Sequence, residues 1–321
     1  MRGWILRIIT AIQLTRLTMG FGAVSDIWFV ILLTRGRAEY VYVDVYDMEL
    51  LPALVAGAIV AIGLFAYGAS LNDVLDARHD SAFSPDRPIP AGRIKLGQAV
   101  VVTVGALIVA VLSGAALGMW ALRITLLTSA GILFYNAAGK YIPAVGLVTI
   151  GLIHAAHMLI PNHQLTFTLP LWLVMTHSVG IAAAVHVLED KRPRLTRGAV
   201  VAALLGWVAW SVVILGAGAM RKGLWPEGAG WLHAAYPTAA VLGFLVVAWW
   251  KVGSPSRLAA AEKLKRYGAM WQCLYGAAWL MTLGLTRQAL WIGGFAVAGF
   301  AAMTLIKEIT GLSGRPIAYR G

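Results

Sequence analysis

Residues 50–70, LLPALVAGAIVAIGLFAYGAS, run for 21 positions without a charged side chain. An α-helix rises about 1.5 Å per residue, so about 20 apolar residues match the hydrocarbon thickness of a bilayer. In that solvent the backbone must satisfy its own hydrogen bonds, and a helix does so within one segment. Nine other segments have the same character. The ten lie at 12–33, 51–77, 96–117, 119–138, 142–160, 167–189, 198–218, 232–252, 263–285 and 289–308. The expected fold is therefore all-α and integral to a lipid bilayer, one transmembrane domain over 1–321 with a bundle of nine or ten transmembrane helices. Nine spans result if the last two segments make one span and one interfacial helix.

The composition agrees. The chain is 60% hydrophobic and 12% charged, against about 45–50% and about 25% in soluble domains. Its formal charge of +12 would suit nucleic acid, but the basic residues fall in short loops between apolar segments, a topology signal. A bilayer is thus expected as partner and nucleic acid is not. The single Cys273 excludes a disulfide within one chain. No small-residue cleavage site follows the first apolar stretch, so no cleavable signal peptide is expected. The thirteen Trp fall mostly near segment ends, as in Trp249–Trp250, which suits an interfacial aromatic belt.

With a cytoplasmic N-terminus, nineteen Lys and Arg fall on the inner side, Arg2, Arg7, Lys307, Arg315 and Arg320 among them. Five fall outside: Arg35, Arg37, Arg221, Lys222 and Arg287. This asymmetry favours that orientation. It brings Asn72–Asp80, Lys140 and Glu189–Asp190, far apart in sequence, to one cytoplasmic face.

The second segment ends in LNDVLDARHD. On a helix Asn72, Asp76 and Asp80 share one face, with Asp73 beside Asp76. Like charges at that spacing repel unless a cation lies between them, and a small set of oxygen ligands suits Mg²⁺. The other reading is a solvated helix end; acids there oppose the macrodipole.

The continuation, NDVLDARHDSAFSPDRPIPAGRI over 72–94, resembles the first signature of the UbiA superfamily of intramembrane prenyltransferases, N-D-x-x-D-x-x-x-D followed by R-P-[IL]-x-x-G. The resemblance implies helices around a central cavity. It also implies that Asn72, Asp73, Asp76 and Asp80 form the first half of a catalytic site in which the aspartates hold Mg²⁺ against the diphosphate of a polyprenyl donor. Arg87 and Arg93 on the following loop would bind phosphate oxygens, as guanidinium groups do, or serve only topology. Tyr135 and Lys140 in FYNAAGKYIP resemble a Tyr-x(3–4)-Lys element placed near the diphosphate. Lys140 also suits a helix C-terminus for dipole reasons alone.

The family's second acidic signature is expected near the end of the sixth segment, where AAAVHVLEDKRPRLTRG stands. Aligning DVLDARHD with HVLEDKRP pairs Val74–Leu75–Asp76 with Val187–Leu188–Glu189, an internal echo at an offset of 113 residues. The second copy keeps only Glu189 and Asp190 as acids, which are expected to help hold Mg²⁺. It gains His186, Lys191, Arg192 and Arg194, and Lys191 or Arg192 would then neutralise diphosphate directly.

Three further polar groups interrupt apolar segments. Arg16 lies near the inner end of the first segment, within reach of the diphosphate. Asp26, ten residues further on, is expected to line the acceptor pocket or pair with a buried His, since an unpaired mid-membrane Asp costs several kcal/mol. His154 and His157 share a helix face; a metal pair, a polar lining of the acceptor pocket and helix–helix hydrogen bonding are all consistent with them. His177 stands in the sixth segment.

The expected activity is Mg²⁺-dependent transfer of a prenyl group from a polyprenyl diphosphate to a small-molecule acceptor within the membrane. Two other readings share the site: transfer of a phosphoribosyl group to polyprenyl phosphate, and a non-catalytic lipid-binding or transport protein. Haem farnesylation is less expected, because Pro85–Asp86 stands where that branch has an Arg-Thr pair. Nothing in the pattern specifies an oligomeric state.

Overall fold

A computed structural model describes residues 10, 14–16, 20–253 and 256–312. Arg2, Arg7, Arg315 and Arg320, with part of the expected first segment, lie outside the described residues. Among those described, all regular structure is helical, and ten helices have 15 or more residues. They are α1 (Phe21–Arg35), α2 (Leu50–Leu75), α4 (Leu96–Ala116), α5 (Met119–Ala137), α6 (Pro143–Met158), α7 (Leu169–Leu188), α8 (Arg197–Met220), α9 (Ala235–Val252), α10 (Arg257–Thr282) and α11 (Thr286–Leu312). The short α3 (Ala77–Phe83) follows α2 directly.

Each long helix falls on one of the ten expected segments. Six stretches are long and apolar enough to cross a membrane: Leu50–Leu75, Leu96–Ala116, Leu169–Leu188, Arg197–Met220, Trp231–Val252 and Thr286–Ile306. Pro143–Met158 is apolar but shorter. α1, α5 and α10 carry charge inside their spans, at Asp26, Arg123 and Glu262–Arg266. α10 begins six residues before the expected 263, because the Ser256 hydroxyl accepts from the Ala259 N–H at 3.1 Å and caps it.

Local chemistry sets the other ends. Thr196 caps α8 through the Ala199 N–H at 3.2 Å. α6 starts on Pro143, whose missing N–H costs nothing in the first turn. α5 starts after Gly118, which has φ +121° and lies so close to Asp44 that a Cβ would overlap its carboxylate. At the opposite end of the bundle from the acids, Arg35 donates to the carbonyls of Val45, Tyr46 and Met48 and ties α1 to the helical turn Asp44–Asp47. It is therefore a structural clamp as well as a topology residue.

The two acid-bearing helices end alike. α2 stops at Leu75 with Asp76 as its C-cap (φ −88°, ψ 0°), and α7 stops at Leu188 with Glu189 as its C-cap (φ −87°, ψ 0°). The echo at offset 113 is thus a repeated helix ending, and the expected helices through 77 and 189 each break one or two residues sooner.

Close packing by small residues brings these ends together. A Cβ on Gly22 of α1 would lie 2.2 Å from the Ala269 carbonyl oxygen of α10, and one on Gly268 of α10 would lie 2.0 Å from Ile181 of α7. Such approach of backbones through small side chains is how membrane helices gain contact without a hydrophobic driving force. We expect Gly22→Ala to lose about 1–3 kcal/mol, the usual cost of overpacking, read as a lower thermal midpoint in detergent. Gly97→Ala, where nothing lies within 4 Å of the added carbon, should leave the midpoint unchanged or slightly higher.

Candidate functional site

The C-caps of α2 and α7 open onto one cavity of about 1320 Å³. Its mouth carries Arg16, Arg78, Arg87, Lys140, Lys191, Arg192 and Lys265 with Asn72, Asp76, Asp80, Glu189 and Asp190. Its walls are apolar: Leu64, Phe65, Ile132, Leu147, Ile150 and Ile153. Thr128, His154 and His157 also line it. The three sequence clusters expected at one face do meet.

Each acid of the first cluster has a cation. Lys140 Nζ lies 2.7 Å from both carboxylate oxygens of Asp76 and donates to Asn72 Oδ1 at 3.1 Å. The pair is largely buried, with side-chain exposures of 15% and 19%. Lys140 is held there by the turn Gly139–Tyr141, which packs on α6 at Gly146; a Cβ on Gly146 would reach 3.0 Å from the Gly139 carbonyl oxygen. Arg87 donates to Asp80 at 2.6 Å and lies 3.5 Å from Asp73, so one guanidinium bridges two carboxylates. Arg16 donates to the same Asp73 oxygen at 3.1 Å. Asn72, Asp76 and Asp80 line the cavity, as their shared face predicted. Asp73 is buried behind them.

Tyr141 was not anticipated. Its hydroxyl donates to Asp76 at 3.4 Å. Burial and then the neighbouring Asp76 carboxylate push its pKa above the usual tyrosine value, so it stays a donor at neutral pH. The anticipated Tyr135 also lines the cavity.

The second cluster has a different balance. Glu189, with a side chain 9% exposed, accepts from Lys265 at 2.6 Å and lies 3.3 Å from Lys191. Asp190 is 59% exposed, has φ 47°, and faces Arg192 and Arg194 at 3.6 and 3.5 Å. The expected His186 lines the cavity, and its Nε2 meets the Pro193 carbonyl oxygen at 2.9 Å. Lys265 was missed as a site residue because it stands in α10 among Lys263 and Arg266, where a basic run reads as inner-face topology. The signal available was the echo itself: a second helix end with a buried acid calls for a second lysine.

Other expected residues fall outside the site. Arg93 donates to the Asp86 carbonyl at 2.9 Å and closes its own loop; it does not line the cavity. Asp26 is buried, is not part of the lining, and its Oδ2 has no hydrogen-bond partner among the described residues, so pairing with a His is not found. His177 is likewise spent on structure, between the Tyr275 hydroxyl at 3.1 Å and the Gly268 carbonyl at 3.0 Å. His154 meets Gln272 at 3.4 Å, and His157 has neither nitrogen partnered. Among the described residues, no three His, Cys, Asp or Glu side chains form a group that could hold a metal ion on their own.

An apolar chamber inside a helical bundle, capped by paired acids and bases, defines a membrane protein with an amphipathic internal cavity. The UbiA prenyltransferase family model matches residues 45–271, which include both acid clusters, Lys140 and Lys265 but neither Arg16 nor Asp26. The chain belongs to that family. A digeranylgeranylglyceryl phosphate synthase from Saccharolobus solfataricus is 36% identical over 86 residues, 27% of this chain and 29% of that protein's length. A solved digeranylgeranylglyceryl phosphate synthase structure covers 87% of this chain and 98% of its own at 17% identity, with a TM-score of 0.56. An apo UbiA homologue from Aeropyrum pernix K1 covers 82% and 98% at 17% identity, also with a TM-score of 0.56. These two similarities establish the fold.

Removing one partner of a buried ion pair strands the other charge. We expect Lys140→Met to cost about 3–5 kcal/mol, seen as a lower unfolding midpoint in detergent. The double variant Lys140→Met with Asp76→Asn should recover most of that loss, and a double-mutant cycle measures the coupling.

Proposed function

We propose that this protein transfers a prenyl group from a polyprenyl diphosphate to a small acceptor within the membrane, with Mg²⁺ as cofactor. The observation that carries the reading is the arrangement of the cavity: seven cations at its mouth, apolar walls below, and the carboxylates Asp73 and Asp80 bridged by Arg87 beside the Lys140–Asp76 pair.

The first cluster fits Mg²⁺. Its donors are all oxygen, from Asp73, Asp76, Asp80 and Asn72; Arg87 bridges Asp73 and Asp80, and Lys140 holds Asp76 and Asn72. Mg²⁺ is usually bound through one or two carboxylates completed by substrate phosphates, so an incomplete set without substrate is the expected state. When bound, the ion would supply charge neutralisation to a departing diphosphate.

The chain's own residues supply the rest. Lys140, Arg87 and Arg16 would exchange their carboxylate contacts for phosphate oxygens, which accept the same hydrogen bonds. Leu64, Phe65, Ile132, Ile150 and Ile153 would enclose the prenyl chain and keep water from the carbon that becomes cationic as its bond to diphosphate breaks. In such a dry site, oriented charges act more strongly than in water. No nucleophilic side chain is required.

Two features favour a phosphate-bearing lipid as acceptor. One is the similarity to a digeranylgeranylglyceryl phosphate synthase, which spans less than a third of that relative. The other is the excess of cations over lining carboxylates at the mouth, seven against four; only together with a bound Mg²⁺ would it leave positive charge once the diphosphate of one donor is bound. The N-terminus and site loops are read as cytoplasmic from the charge asymmetry.

Wild-type membranes supplied with Mg²⁺, a radiolabelled prenyl diphosphate and an isoprenyl glyceryl phosphate should yield a larger lipid and free diphosphate. Asp76→Ala should lower the rate on the order of 100-fold or more, the scale of losing one strong transition-state contact. Wild type inert towards every prenyl diphosphate, with aromatic and glyceryl phosphate acceptors alike, would refute the reading.

A further inference from the structure

The two halves of the head-group site repeat the same helix ending but not the same charge balance. The α2 end presents Asp76 with Asp73 and Asp80 behind and beside it, three acids balanced by three cations: Lys140 on Asp76, and Arg16 and Arg87 on Asp73 and Asp80. The α7 end presents one buried acid, Glu189, between two ammonium groups, Lys265 at 2.6 Å and Lys191 at 3.3 Å. Asp190 does not add to it, because it lies exposed and faces Arg192 and Arg194.

We infer that this second half grips the donor diphosphate with Lys265 and Lys191 in place of a second metal ion. The inference rests on the prenyl diphosphate reading above and deepens it. A divalent cation at Glu189 would share one carboxylate with two ammonium groups and would be repelled by both. The three charges sum to +1 without any metal. An ammonium has three donors and no acceptor, so each lysine can keep Glu189 and still donate to a phosphate oxygen. The Glu189 Oε2 atom lies buried without a hydrogen bond although Lys191 is near; the carboxylate therefore stands between the two lysines.

Close packing sets Lys265 in place. It stands one turn before Gly268, whose lack of a side chain lets α10 press against Ile181 of α7, and Glu189 caps that same helix. A lysine from α10 thus supplies at the second half what Lys140 supplies to Asp76 at the first. Lys265 is assigned here as a diphosphate-binding residue.

The test uses the full chain in detergent micelles with inorganic diphosphate as probe, by calorimetry in EDTA, and with prenyl transfer measured against Mg²⁺ concentration. Wild type should bind diphosphate in EDTA. Lys265→Met should weaken that binding about tenfold or more, the scale of one charge-assisted hydrogen bond, and Lys265→Arg should restore most of it. Glu189→Gln, which removes the spacer between the lysines but no proposed metal ligand, should leave the Mg²⁺ midpoint of transfer unchanged. Transfer should depend on Mg²⁺ to first order. Equal binding by wild type and a folded Lys265→Met, a Mg²⁺ midpoint raised severalfold by Glu189→Gln, or second-order Mg²⁺ dependence would each overturn the inference while leaving prenyl transfer intact. Conversely, Lys265-dependent diphosphate binding in a protein that turns over no prenyl diphosphate would support the lysine grip and refute the transfer reading.

Discussion

The Lys140–Asp76 ion pair is the contact on which the arrangement of this molecule turns. A carboxylate at a membrane helix end, largely removed from water, is tolerated only with a partner. The partner here arrives from a loop 64 residues away. To bring it, α5 must end beside α2, and the Gly139–Tyr141 turn must sit flush on α6, which Gly146 permits. The same logic holds across the mouth, where Lys265 reaches Glu189 because α10 and α7 touch at Gly268. Charges that cannot be left alone thus draw three separated parts of the chain to one rim.

That rim explains why the chamber beneath can be apolar. The structure confines most charge to one end, and the walls below are Leu, Ile and Phe. A molecule with a charged head and a hydrocarbon tail matches this division. A charged ligand without a tail would leave the walls unfilled, and a neutral lipid would make no use of the charges at the rim. The balance is electrostatic at the mouth and packing-driven below, and membership of the UbiA prenyltransferase family accords with both.

Much of this was legible in the sequence, and for definable reasons. Ten long helices fall on the expected segments; for the six long enough and apolar enough to cross a membrane, the length of the run nearly dictates a helix, whereas α1, α5 and α10 keep theirs despite internal charge. The grouping of Asn72, Asp76 and Asp80 on one side follows from helical periodicity, which continues almost unbroken through the hydrogen bonds from Asp76 N to Asn72 O and Asp80 N to Asp76 O. The echo between Asp76 and Glu189 was visible as a repeat and proved to be two identical C-caps. Arg93 and Asp26 show the limit. Their residue types suited a site, but Arg93 folds back on Asp86 and Asp26 is buried outside the cavity lining, outcomes governed by a loop's closure and by helix packing.

By itself, the sequence determined what is local or periodic: the apolar spans, the order of the acids along α2, and the unequal second copy with its surplus of basic residues. Tertiary structure alone decided which cation meets which acid. Lys265 is one of several basic residues in its run, and no spacing distinguishes it. It became Glu189's partner because a glycine one turn away let two helices approach closely enough for a lysine side chain to bridge them. The bare count of acids at Glu189 and Asp190 suggested a weakened metal site, whereas their surroundings describe a cationic one. Pairing of buried charges is a property of packed helices, and it is set where their backbones come closest.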